Sequence, residues 1–315
     1  MHCRSPPMTT RCAAAPVEAR RSVAWEGRAA AGMMARALIG GCLLVIPALW
    51  PDHALAQGAP ADQGANDGND LFRPPPNLFQ MMDQYKTAPG SGSAPGSTRD
   101  VTTETLNLRM DHSLDLAPSW ILALRTDLPL LAKNPITSDN PDGDYLTGVG
   151  DADVQAVILR NLDQRWTIGF GARLITPTGG DTFGAGKWQI MPAAGVRYAL
   201  WEINSSSYLE PVFRYDVSFA GDPTKKNISN LQFAPTLNIG LPERWFLTLY
   251  PSPDIRINYG DPITGQTGRL FLPFDVRVGR QLSNNVALSL ELSVPIIKDY
   301  PVYNLKTQVR LNVTY

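Results

Sequence analysis

The C-terminal stretch YNLKTQVRLNVTY, residues 303–315, decides the fold. Tyr303, Leu305, Val309, Leu311, Val313 and Tyr315 fall on one face of an extended chain, and Asn304, Lys306, Gln308, Arg310, Asn312 and Thr314 on the other. Successive side chains of a strand point to opposite sides, so this period of two marks a half-buried strand. In a soluble sandwich the apolar face would be the interior and the other face an ordinary solvent surface. Here the polar face carries too much charge, repeated on too many strands, for that. Apolar residues facing hydrocarbon and ionic residues lining a closed interior fit the pattern better.

Upstream of this strand the same alternation repeats. Leu106, Leu108, Met110 and Leu114 oppose Asn107, Arg109, Asp111 and Ser113. Strands are expected near 101–116, 120–130, 148–160, 166–177, 187–199, 206–219, 228–240, 245–259, 269–280, 286–296 and 303–315. Connections of about three to six residues, around Pro118, Asp163, Asn204, Glu243 and Asn284, alternate with mostly longer ones. Short periplasmic turns and long external loops distinguish outer-membrane barrels in this way. A chain with both ends in the periplasm needs an even number of spans, so a first strand is placed at 77–87 despite its weak alternation. The expected fold is all-β, a transmembrane antiparallel up-and-down barrel of about 12 strands over residues 99–315 plus that first strand. Trp120, Trp166 and Trp245 each open an ascending strand just after a short turn, as an aromatic belt at headgroup height requires, with Tyr198 and Tyr315 beside them. The terminal Tyr315, with Val313, Leu311 and Val309 behind it, resembles the strand signal read by the barrel-assembly machinery, which with outer-membrane lipid makes the expected partners.

Residues 1–56 read as a leader and a removed signal peptide. Arg36 is the charged region, Ala37–Leu49 the apolar run, and Ala54-Leu55-Ala56 the cleavage site. That run is shorter than the roughly 18 residues a spanning helix needs. All three cysteines, Cys3, Cys12 and Cys42, lie in this part. Without residues 1–56 the chain keeps 22 basic and 26 acidic side chains, a balance that excludes nucleic acid as a partner. Residues 57–98 read as a flexible N-terminal segment around the first strand, with 57–76 in the periplasm and 88–98 an exposed loop.

The lining expected from the polar faces comprises Arg109, Asp111, Arg125, Asp127, Arg173, Arg197, Glu210, Arg214, Asp216, Asp254, Arg256, Asp275, Arg277, Glu291 and Arg310, with Lys187 and Lys306. Five strands carry an acid and an arginine two residues apart. Same-strand neighbours at that spacing are about 7 Å apart, so ion pairs should run mostly across strands. Such a lining either braces a narrow barrel as a salt-bridge network or selects a polar or charged solute. Near-balance of signs argues against strong anion or cation selectivity. Prolines 192, 211, 235, 251, 253, 273 and 295 fall inside strands, where they cannot donate to the ladder. Taking register from loop midpoints, Pro192 faces Pro211 and the set forms a row across six strands, a line along which the wall could bend or open sideways. Enzymatic chemistry is not expected. His112 and Ser113 are adjacent in one strand and so point to opposite faces. Asp139, Asp142, Asp144, Asp151 and Asp153 are weak candidates for a cation, and neither metal nor cofactor is expected. The Gly-rich GGDTFGAGK at 179–187 lacks the spacing of a phosphate loop and reads as an external loop.

Residues 148–200 carry GVGDADVQAV and then LITPTGGDTFGAGKWQIMPAAGVRYAL. These pieces resemble the MetA-pathway of phenol degradation family of outer-membrane transporters. The match is close over about fifty residues and loose in hairpin layout to the C-terminus, and it carries no catalytic meaning. The family has glycine before the proline where this chain has Met191 before Pro192. The resemblance implies a barrel concerned with uptake of aromatic or other hydrophobic compounds. The alternative expectation is a structural or adhesive barrel with a closed lumen, with a lipid hydrolase third.

Overall fold

The computed structural model describes residues 68–88, 100–137 and 139–315. The leader, the signal peptide and nearly all of the 88–98 loop lie outside the described residues. Fourteen strand segments follow in chain order: β1 (Asn77–Ala88), β2 (Val101–Ala117), β3 (Trp120–Lys133), β4 (Leu146–Val149), β5 (Asp153–Asn161), β6 (Trp166–Ile175), β7 (Lys187–Ala199), β8 (Tyr208–Gly221), β9 (Ser229–Gly240), β10 (Trp245–Leu249), β11 (Ile255–Asn258), β12 (Leu270–Gln281), β13 (Val286–Lys298) and β14 (Leu305–Thr314). β4 and β5 both pair with β3, and β10 and β11 both bridge β9 and β12, so the wall has twelve spans. Every pairing is antiparallel, and β1 closes the barrel between β2 and β14, with Met81 opposite both Leu108 and Leu311. β1 alternates weakly because Leu78 and Met82 turn inward, so both of its faces carry apolar residues.

Burial is inside out. Along β13, Leu288, Leu290, Leu292, Val294 and Ile296 are exposed, Leu290 at 58 %, while Ser289, Glu291 and Ser293 between them are buried, Glu291 at 1 %. Water would penalise such a surface by about 25 cal/mol per Å² of apolar area, whereas hydrocarbon does not, and the strand therefore belongs in a bilayer. Trp120, Trp166 and Trp245 open β3, β6 and β10 at one height. Trp166 packs on Tyr198 with ring centroids 4.5 Å apart, and Arg160 and Arg280 lie over the rings of Trp120 and Trp245. One end of the barrel thus carries the amphipathic belt of a headgroup layer.

Two strands are interrupted. Residues 150–152 separate β4 from β5, and 250–254, which contain Pro251 and Pro253, separate β10 from β11, with Tyr250 at φ 51°. Pro211 pairs with Pro235 and Pro273 with Pro295, so prolines do line up across β8, β9, the gap, β12 and β13. Pro192 stands apart from that row. The β7–β8 hairpin closes on the Leu200 N–H donating to Ser207 O (2.8 Å), a turn centred two residues beyond the assumed midpoint, which puts Pro192 near Tyr215. Tyr303 also departs from the reading: it precedes β14, folds inward and is fully buried.

Candidate functional site

The lumen is the candidate site, and its floor is built by a segment that sequence reasoning left in the periplasm. Residues 68–76 lie inside the lower, Trp-belted half of the barrel. Asp70 organises them: its Oδ1 accepts the N–H groups of Phe72 (3.1 Å) and Arg73 (3.0 Å), and its Oδ2 accepts Arg197 Nε of β7 at 2.5 Å. The Leu71 N–H donates to Glu210 Oε2 (3.2 Å), and Arg73 donates to the Gln164 carbonyl. Phe72, 4 % exposed, packs with Leu159 and Val212. Its ring fits because Gly169 and Gly195 face it, where a methyl would come within 2.8 Å of the ring. The segment's polar composition gave no sign of this, since its partners lie as far as 243 residues away.

Above the floor, two ionic clusters face each other. On one wall Arg109 pairs with Asp127 through two bonds (2.7 and 3.1 Å) and Arg125 with Asp111 through two (2.8 and 2.6 Å), each directly across the β2–β3 ladder. Arg173 reaches Asp153 at 3.3 Å. On the other wall Lys306, 1 % exposed, meets Asp254, Glu291 (2.6 Å) and Asp275 (3.3 Å), and Arg310 approaches Glu291 (3.6 Å). Tyr303 caps this cluster, its hydroxyl 2.7 Å from Ser293 Oγ and 3.2 Å from Asp254, its ring edge-on to Phe271. Its inward turn was not foreseen, because the residues before β14 look like a continuation of the strand. Of the five acid–arginine neighbours two residues apart, only Asp254 and Arg256 bond each other (2.9 Å) among the described residues. The other close pairs cross strands or, for Asp70, reach the floor.

Between the clusters lies a cavity of about 400 Å³. Arg109, Arg125, Asp127, Arg173, Glu210, Arg214, Asp216, Asp254, Arg256, Arg277 and Arg310 are on its wall. Asp111, Arg197, Asp275 and Glu291 are buried behind it in ion pairs. Lys187 is also buried. Nine cationic side chains line the cavity against five carboxylates, so its surface is basic although the whole lining is nearly balanced. A smaller, largely apolar pocket of about 50 Å³ adjoins the floor segment, and Leu71, Arg125, Val212 and Arg214 line both spaces.

The remaining candidates have structural settings. His112 Nδ1 is 2.6 Å from Asn77 Oδ1, and Ser113 on the opposite face donates to the Pro75 carbonyl. Asp151 accepts the N–H groups of Gly179 (2.9 Å) and Ala185 (2.6 Å), clasping the loop between β6 and β7, which holds the single-turn helix Gly180–Phe183. Among the described residues no group of three or more His, Cys, Asp or Glu side chains is placed to hold a metal ion.

Residues 82–250 match the sequence model of the family described as MetA-pathway of phenol degradation. Among solved structures the chain is similar to the COG4313 outer membrane channel from Pseudomonas putida F1, at 16 % identity and a TM-score of 0.58, covering 82 % of this chain and 100 % of that one. Fainter likenesses include the KdgM porin (9 % identity, TM-score 0.41, 76 % and 99 % covered) and the NanC porin (13 %, 0.42, 75 % and 98 %). No curated protein matches the chain by sequence. The fold is that of an outer-membrane β-barrel.

Proposed function

Because this chain belongs to the MetA-pathway of phenol degradation family, we propose that it is an outer-membrane channel passing small organic solutes, aromatic or otherwise hydrophobic, toward the periplasm. The observation that carries the reading is the cavity of about 400 Å³ enclosed by a barrel whose outside is apolar and whose lining is ionic. A barrel serving only as a scaffold gains nothing from a polar void, because each buried charge in it must be compensated. The family's name supports an aromatic cargo. The row of prolines and the broken β10–β11 strand support a second exit, sideways through the wall, for solutes that partition into lipid.

Purified protein in planar bilayers gives discrete openings under this reading. Cells carrying it take up phenol or benzoate faster than cells lacking it. The alternative, a closed barrel that works through its loops, draws on the segment 68–76 inside the lumen. Bilayers that stay silent, together with equal uptake in both strains, would establish that alternative instead.

A further inference from the structure

We propose that Arg214 is a carboxylate anchor, seating the anionic end of a small apolar monocarboxylate while the rest of the molecule lies against Phe72 and Leu71. This rests on the channel reading above and adds the solute's chemical class. Among the described residues, Arg109, Arg125, Arg173, Arg197, Arg256 and Arg310 each have a carboxylate within 4 Å. Among those same residues Arg277 has no carboxylate within 4 Å and leaves Nε and Nη1 without partners, but it is buried in the wall with Nη2 3.4 Å from Thr248 Oγ1, and it lines only the basic cavity, away from the apolar pocket. Among the described residues Arg214 makes no hydrogen bond and has no carboxylate within 4 Å, and Asp216, two residues along the same face, does not reach it.

Its position is as telling as its lack of a partner. Arg214 lines both the basic cavity and the small apolar pocket, so a molecule touching it has charge-compensating surroundings on one side and hydrocarbon on the other. A guanidinium offers a planar fork that matches a carboxylate with two parallel bonds, and the match strengthens where water is scarce. An unpaired cation in such a place favours the arrival of an anion. Arg214 is the one fork without a carboxylate, among the described residues, that borders the apolar pocket as well as the cavity, so the anion it seats is a monocarboxylate with its apolar part on that side. The pocket beside it is mostly apolar, with Leu71, Phe72, Val157, Leu159 and Val212 on its wall, and its small volume suits an alkyl chain or the edge of an aromatic ring better than a sugar.

The test uses benzoate and benzyl alcohol, near-isosteres that differ in charge, titrated onto the full protein in detergent. Wild type should bind benzoate at least about tenfold more tightly than benzyl alcohol, the worth of a charge-assisted hydrogen bond. Arg214→Gln should abolish that preference by weakening benzoate far more than benzyl alcohol, and Arg214→Lys, which keeps the charge and loses the fork, should lose part of it. Folding is checked by heat-modifiable migration. If Arg214→Gln does not fold, the lysine variant decides, and an undiminished benzoate preference in it overturns the proposal. So does a wild type without the preference, or a glutamine variant that keeps it. The bilayer arm separates the two readings. Channels that open, and are blocked by benzoate equally in wild type and Arg214→Gln, sink the anchor and spare the channel. Silent bilayers sink the channel, while the detergent titration still decides the anchor.

Discussion

Replacing Phe72 by alanine should open the barrel's floor. The ring is almost fully buried against Leu159 and Val212, and truncating such a phenylalanine costs about 3–5 kcal/mol. Each 1.4 kcal/mol is a factor of ten, so the lower figure shifts the balance between docked and released floor by roughly a hundredfold. A segment released about 0.1 % of the time would then be released about 10 % of the time. Gly169→Ala is an independent route to the same end, since its new methyl would lie 2.8 Å from the Phe72 ring and 2.6 Å from Leu159 without altering the segment. Single-channel recording reads both as a higher open fraction, and liposome flux as faster solute entry. Should both variants fold and match wild type in open fraction and flux, residues 68–76 are not the barrier, and the reasoning from their packing fails.

Other consequences are sharper in stability than in transport. Leu290→Arg places a guanidinium on the lipid face in mid-strand and should destabilise the barrel by about 2–4 kcal/mol in lipid, read by urea unfolding. Lys306→Met leaves Asp254, Asp275 and Glu291 facing one another without their shared cation, a loss of about 3–5 kcal/mol. Adding Glu291→Gln to that variant should recover part of the loss, and no recovery would show that the cluster is not electrostatically coupled. Pro211→Val with Pro235→Val restores donors at a paired position and should raise the melting temperature. If the sideways exit operates, the same pair lowers uptake of a neutral hydrophobic solute, whereas unchanged uptake removes that route.

The wall was legible because its physics is local. Lipid on one side and an ionic lumen on the other impose a strict period of two, and every span from Val101 to Thr314 can be found from it within a few residues. The interior fittings were not legible, because nothing periodic marks them. Asp70 meets Arg197 across 127 positions, and the segment between Gly68 and Pro76 is rich in the residues that usually signal a linker. Tyr303 shows the same limit on a smaller scale. It extends the alternation of β14 by one step on paper, yet its phenol finds better partners in Ser293 and Asp254 than in the membrane. The lining's overall charge count concealed the basic cavity, since which carboxylates stand in front and which behind depends on packing. Pro192 was misplaced because register depends on where a hairpin closes.

The floor segment runs into β1 at Pro76 with no slack between them, and β1 is itself stitched to its neighbours on both sides. A stopper on so short a leash cannot wander off. Once dislodged it stays at a very high effective concentration over its own seat, so resealing is a first-order event that neither dilution nor the number of copies in the membrane can slow. Openings should therefore be brief flickers, with a mean duration that a longer leash, made by inserting glycines after Pro76, would extend.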